Sequence, residues 1–127
     1  MTILLDSHAF YWWMVNDSRL SRRAARSIEE DGEVYVSSVV AWENASKVRV
    51  GKWPDAKPLA DRLFDVVVAD GLLPLSITLE HAHLAGSMPG PHRDPFDRML
   101  AAQAQIENMK LVTADPVFRA FGTRVLW

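Results

Sequence analysis

Four acidic residues in this chain stand where elements are expected to begin or end, and a fifth, Glu43, lies one turn into an expected helix. Asp6 follows TILL, Glu43 lies in SSVVAWENASK, Asp94 and Asp97 open HRDPFDRMLAAQA, and Asp115 follows KLVTA. Carboxylates gathered within a few ångströms repel one another and raise each other's pKa unless a cation is present. With no cysteine in the chain, oxygen ligands of this kind suit a hard divalent ion, magnesium or manganese. Such an ion can bridge a phosphate, lower the pKa of a bound water and stabilise a leaving oxygen, so phosphodiester hydrolysis is the chemistry this set would serve.

Each acid also has a purely structural reading. Asp94 can be an N-cap, Pro95 suits the first helical position because it lacks an N–H, and Asp97 sits where the acidic half of a capping box would fall. Asp6 and Asp115 are ordinary residues for strand-to-helix turns. Glu43 can form an exposed i,i+4 pair with Lys47, worth a few tenths of a kcal/mol. The placement of the elements therefore has to decide between caps and chemistry.

TILL reads as a buried strand that stops at Asp6, with Ser7 expected to cap a helix carrying HAFYWWMV. Asn16 to Ser18 close that helix, and SRRAARSIEE forms another that stops at Asp31-Gly32. VYVS is a second strand, followed by a helix capped by Ser37 or Ser38, running to about Val50 and stopped by Gly51. WPDAKP is expected to be a loop. From Pro58, the spacing of Leu59, Leu63, Phe64 and Val67 predicts one helix ending at Gly71, and LLPLS a third strand.

Thr78, with Glu80 nearby, is expected to start a helix carrying His81 and His83. GSMPGPHR is turn-rich and reads as a loop. Phe96, Met99, Leu100 and Ile106 then form an apolar helical stripe flanked by Ala101 and Ala104. KLVT is a fourth strand, and a short helix and a last strand, TRVLW, follow. Strands alternating with helices predict an α/β fold with a mostly parallel sheet of four to five strands covered on both faces. Ligands of such sheets bind beyond the carboxyl ends of the strands, which is where Asp6 and Asp115 fall and which the first turns of the Glu43 helix overlook.

The totals bound the answer. The 127 residues suit one domain, 1–127, and 49% hydrophobic with 24% charged residues is ordinary for a folded globular chain. The absence of cysteine agrees with a reducing cytoplasm. No apolar run is long enough for a membrane span, and MTILLDSHAF lacks the features of a signal peptide. A net charge of −2 argues against a broad basic surface for nucleic acid and leaves room for a local site.

LLDSHA, SSVVAWENASK, HRDPFDRMLAAQA and LVTADPVF, in this order and spacing, resemble the PIN domain, and specifically the VapC toxins of type II toxin-antitoxin pairs. The resemblance spans essentially the whole chain. It implies a PIN-like three-layer α/β/α fold and a Mg2+- or Mn2+-dependent endoribonuclease, in which Asp6, Glu43, Asp97 and Asp115 match the family's acidic quartet. Asp6 and Asp97 are then the principal metal ligands, Glu43 and Asp115 complete or orient the site, Asp94 assists or caps, and Thr113 orients a carboxylate or water. It further implies a VapB-type antitoxin that blocks the crevice, an RNA substrate of the tRNA or rRNA class, and a homodimer.

The histidines offer less. His81 and His83 are two apart and point to different sides of a helix, unlike an i,i+4 zinc pair, while His8 and His92 are expected in polar or supporting positions. A phosphoacceptor receiver domain would need adjacent acids after its first strand, and a haloacid-dehalogenase-type phosphatase an Asp where His8 stands. The competing non-enzymatic reading is an α/β module that binds RNA or a protein partner and uses its acids as caps.

Overall fold

The computed structural model describes residues 2–30 and 32–127. Asp31, where the second helix was expected to stop, lies outside them. The strands are β1 (Thr2–Leu5), β2 (Glu33–Ser37), β3 (Leu73–Leu75), β4 (Lys110–Val112) and β5 (Val125–Leu126). They form one sheet in the order β3-β2-β1-β4-β5. Every pairing is parallel, so the mostly parallel α/β expectation holds at its five-stranded limit.

The reason is written in the strands. Ile3, Leu4 and Leu5 have no exposed surface, as have Leu111 and Val112. Consecutive buried residues need cover on both faces of a sheet, and helices from parallel crossovers provide it. β1 is central, and Leu5 pairs with both Val36 and Val112, so β1, β2 and β4 end at one level. The residues that follow them share one edge of the molecule.

Those crossovers are α1 (Ser7–Met14), α2 (Arg22–Glu30), α3 (Ser38–Arg49), α4 (Lys57–Asp61), α5 (Leu63–Ala69), α6 (Leu79–Ser87), α7 (Pro95–Ile106) and α8 (Val117–Ala120). Two expectations fail here. WPDAKP is not a loop, because Pro54–Ala56 form a 3-10 turn that leads directly into α4. The single helix expected from Pro58 is two helices, broken at Arg62 (φ −129°, ψ 21°). Leu59 and Val67 are buried on either side of the break, but Phe64 is 73% exposed and does not belong to the inward stripe.

Caps also differ in detail. Asp6, not Ser7, caps α1: its Oδ1 accepts the Ala9 N–H at 2.8 Å. Thr78 caps α6 in a box closed by His81 rather than Glu80, since the His81 Nδ1 accepts the Thr78 N–H at 3.0 Å. In α7 Leu100, Ala101, Ala102, Gln103 and Ala104 are all buried, so this stretch is enclosed on every side and the small residues are core, not a flank. No helix among the described residues is long and apolar enough to cross a membrane.

Candidate active site

Asp6 is the first residue beyond β1, and its N–H donates to the Val112 carbonyl of β4 at 3.1 Å. That bond continues the ladder one step past the strand and fixes the carboxylate above the sheet edge. Asp6 is 8% exposed. Its pKa rises from 3.8 to about 6, first because burial disfavours its charge and then through Glu43 and Asp115, while the Thr113 hydroxyl and the Ala9 amide pull the other way. The mutual repulsion expected of gathered acids is present, and burial is the larger cause.

Glu43 enters from α3, which Ser37 starts by accepting the Val39 N–H. The expected pair with Lys47 is present at 2.6 Å, but it is not an exposed surface pair, because Glu43 is 5% exposed. Its other oxygen accepts the Ser7 hydroxyl. Both carboxylate oxygens are thus held, one from α1 and one from its own helix.

D-P-F-D divides its labour. Asp94 is the cap of α7, its Oδ1 accepting from the Phe96 and Asp97 amides at 2.8 and 3.3 Å, and Pro95 takes the first helical position. Asp97 does not close a capping box; its Oδ2 bonds the His92 Nε2 at 2.9 Å. Partial burial raises Asp97 to about 6, opposed by the bond to His92 and reinforced by the charges of Asp94 and Glu43. Asp115 leaves β4 through a small turn, its N–H donating to Thr113 Oγ1 at 3.0 Å while its own Oδ1 accepts from Val117.

Asp6, Glu43, Asp94, Asp97 and Asp115 all line one cleft of about 360 Å³, together with Ser7, His8, Trp12 and Lys47. The five acids expected to meet beyond the strand ends are therefore lining the same space. They do not form a ready-made ion cage: among the described residues no group of three His, Asp or Glu side chains is positioned to hold a metal as it stands. The donor set nevertheless fits a hard divalent cation, since it is all oxygen and two of its members are carboxylates whose charge the fold disfavours in the absence of a counter-ion.

Three supporting contacts escaped the sequence reading. Ser7 was expected as a cap and instead holds Glu43. Arg98 ties down the loop before α7, its guanidinium donating to the carbonyls of Ala85 (2.7 Å), His92 (2.9 Å) and Met88. Gln103 is fully buried and accepts the Ser37 hydroxyl at 2.5 Å, linking α7 to the start of α3. A buried Gln amid alanines was a visible signal for the last of these; nothing local announced the other two.

A parallel sheet with acids converging beyond its carboxyl edge defines an α/β protein with an acidic site at the strand ends. The PIN-domain family profile matches residues 3–123, and the chain belongs to that family. It is 34% identical over 122 residues to Ribonuclease VapC22 of Mycobacterium tuberculosis, covering 94% of this chain and 91% of that protein. Among solved structures it is similar to VapBC2 from Rickettsia felis bound to a promoter DNA fragment (TM-score 0.71, 17% identity, 98% and 96% of the two chains). It is also similar to VapC20 of Mycobacterium tuberculosis, a sarcin-ricin loop cleaving toxin (TM-score 0.68, 16% identity, 96% of each chain). At these identities the structural likenesses speak for the fold.

Proposed function

We propose that this chain is a VapC-type endoribonuclease that hydrolyses RNA phosphodiester bonds with Mg2+ or Mn2+. In this reading it is a single-domain cytoplasmic toxin, a homodimer, held inactive by a VapB-type antitoxin, with a structured RNA of the tRNA or rRNA class as substrate. The observation that carries the reading is the lining of one cleft by acids from separate segments. The identity to a VapC ribonuclease across most of the chain supports it.

Asp6 and Asp97 are the principal residues to hold the ion, with Glu43 and Asp115 completing the site and Asp94 assisting. Bound there, a divalent ion supplies charge neutralisation at the scissile phosphate and a water acidic enough to attack at neutral pH. The chain's own groups prepare that place. Ser7 and Lys47 fix the two oxygens of Glu43. His92 fixes one oxygen of Asp97 and leaves the other for the cleft. Thr113 holds the Asp115 turn and lies beside Asp6.

The test is cleavage of total cellular RNA by purified protein with MgCl2 or MnCl2 and with EDTA. Discrete cleavage that needs the metal is expected. Binding of RNA without cleavage under any metal would instead favour the non-catalytic α/β module.

A further inference from the structure

The acidic cleft poses a difficulty for its own substrate. The chain carries a net charge of −2, and Lys47, the cation lining the cleft, is already paired with Glu43. Phosphate attraction, which normally supplies most of the affinity for nucleic acid, is weak at such a surface. Apart from an ion bound in the cleft, a contact that does not depend on net charge would add affinity there.

Aromatic rings stand at one wall of the cleft. The exposed His8 ring lies 4.9 Å from that of Trp53, tilted by only 30°, and 5.5 Å from that of Trp12. The Tyr11 ring lies 5.1 Å from that of Trp53, tilted by 58°, and the Lys47 ammonium lies 5.9 Å from the Trp53 ring centre. Trp12, Trp53 and Tyr11 are half-buried; Trp12 and Tyr11 pack partly against the core, and part of each ring stays accessible. His8 and Trp12 line the same cleft as the acids.

We infer that His8, Trp12 and Trp53 form a ledge on which an unpaired base of the RNA stacks while the adjoining phosphate enters the acidic cleft. Stacking tolerates any base and contributes about 1–3 kcal/mol per base. It also requires a base free of pairing, so the ledge selects single-stranded or splayed-loop RNA over duplex. The inference rests on the ribonuclease reading for its substrate class.

Binding is measured in EDTA, which separates it from cleavage, by fluorescence anisotropy of a labelled short single-stranded RNA, its duplex, and the same strand with abasic residues. The native protein is expected to prefer the base-bearing single strand over both others. Trp53→Ala should lose about 5- to 100-fold in affinity for that strand alone, with Trp53→Phe restoring most of it and His8→Ala losing less. Should Trp53→Ala fail to fold by circular dichroism, His8→Ala and the abasic comparison on the native protein decide. Equal binding of base-bearing and abasic strands, or unchanged affinity in both alanine variants, would overturn the ledge. Absent cleavage in Mg2+ with the base preference intact would overturn the nuclease reading and leave the ledge standing.

Discussion

Asp6 carries opposing roles in one side chain. One oxygen caps α1, while burial holds the group at about 6, and Asp97 stands at the same value. In the metal-free protein both acids bind protons more tightly when folded than when unfolded, where they titrate near 3.8. Stability therefore falls as pH rises from about 4 to about 6 and levels off above, a loss on the order of 3 kcal/mol for Asp6 and less for the more solvent-screened Asp97. Asp6→Asn keeps an oxygen for the Ala9 amide and removes the charge. Urea melts in EDTA should show it more stable than the native protein at pH 7, with the slope between pH 4 and 6 reduced; an unchanged profile would contradict the assigned burial cost.

Asp94 is separable in the same manner. Asp94→Asn preserves the cap and should leave stability within a few tenths of a kcal/mol, whereas Asp94→Ala should cost about 1 kcal/mol. A fall in cleavage with Asn as well as with Ala would assign Asp94 to the metal, and a fall with Ala alone would assign it to the helix. The types and order of the five acids were legible in the sequence. The burial of Glu43 was not, because an i,i+4 pair looks identical from sequence whether solvent or Ser7 of another helix stands opposite.

At the scale of elements, α7 is aimed by the loop in front of it. Arg98 gathers three carbonyls of the segment 85–92, and that segment delivers His92 to Asp97. A lysine cannot reproduce a planar fork of donors. Arg98→Lys should cost about 1–3 kcal/mol, open the 88–93 loop to limited proteolysis and lower cleavage; an uncleaved loop in the variant would count against the tether. Strand ends and most helix starts were readable because apolar runs stopped at Asp6, Ser37 and Thr113. The break at Arg62 was not: Leu59 and Leu63 keep helical spacing across it, and a one-residue departure leaves no mark on periodicity. Ser7 misled because a serine and an aspartate, side by side after a strand, are equally good caps, and only the burial of Ser7 beside Glu43 separates them.

At the scale of the whole molecule, the order β3-β2-β1-β4-β5 lets local sequence become a shared site. β1 lies between β2 and β4, so Asp6, the Ser37 start of α3 and Thr113 emerge side by side, and α7 brings Asp97 to the same cleft. Alternation of strands and helices foretold the sheet; the distances among the acids depend on register between segments far apart in sequence, which periodicity does not encode. If these acids share one ion, Mn2+ at a hundred times its dissociation constant should stabilise the native fold by about 2.7 kcal/mol, seen as a raised Tm, and Asp6→Asn should respond much less.

The most direct measurement is RNA cleavage by native protein, Asp6→Asn and Asp97→Asn, purified in parallel and assayed with Mn2+ and with EDTA on one RNA. The expected result is metal-dependent cleavage by the native protein, with both folded variants much slower, as follows if Asp6 and Asp97 hold the ion. Equal cleavage by all three would contradict the assignment of this cleft as the catalytic site.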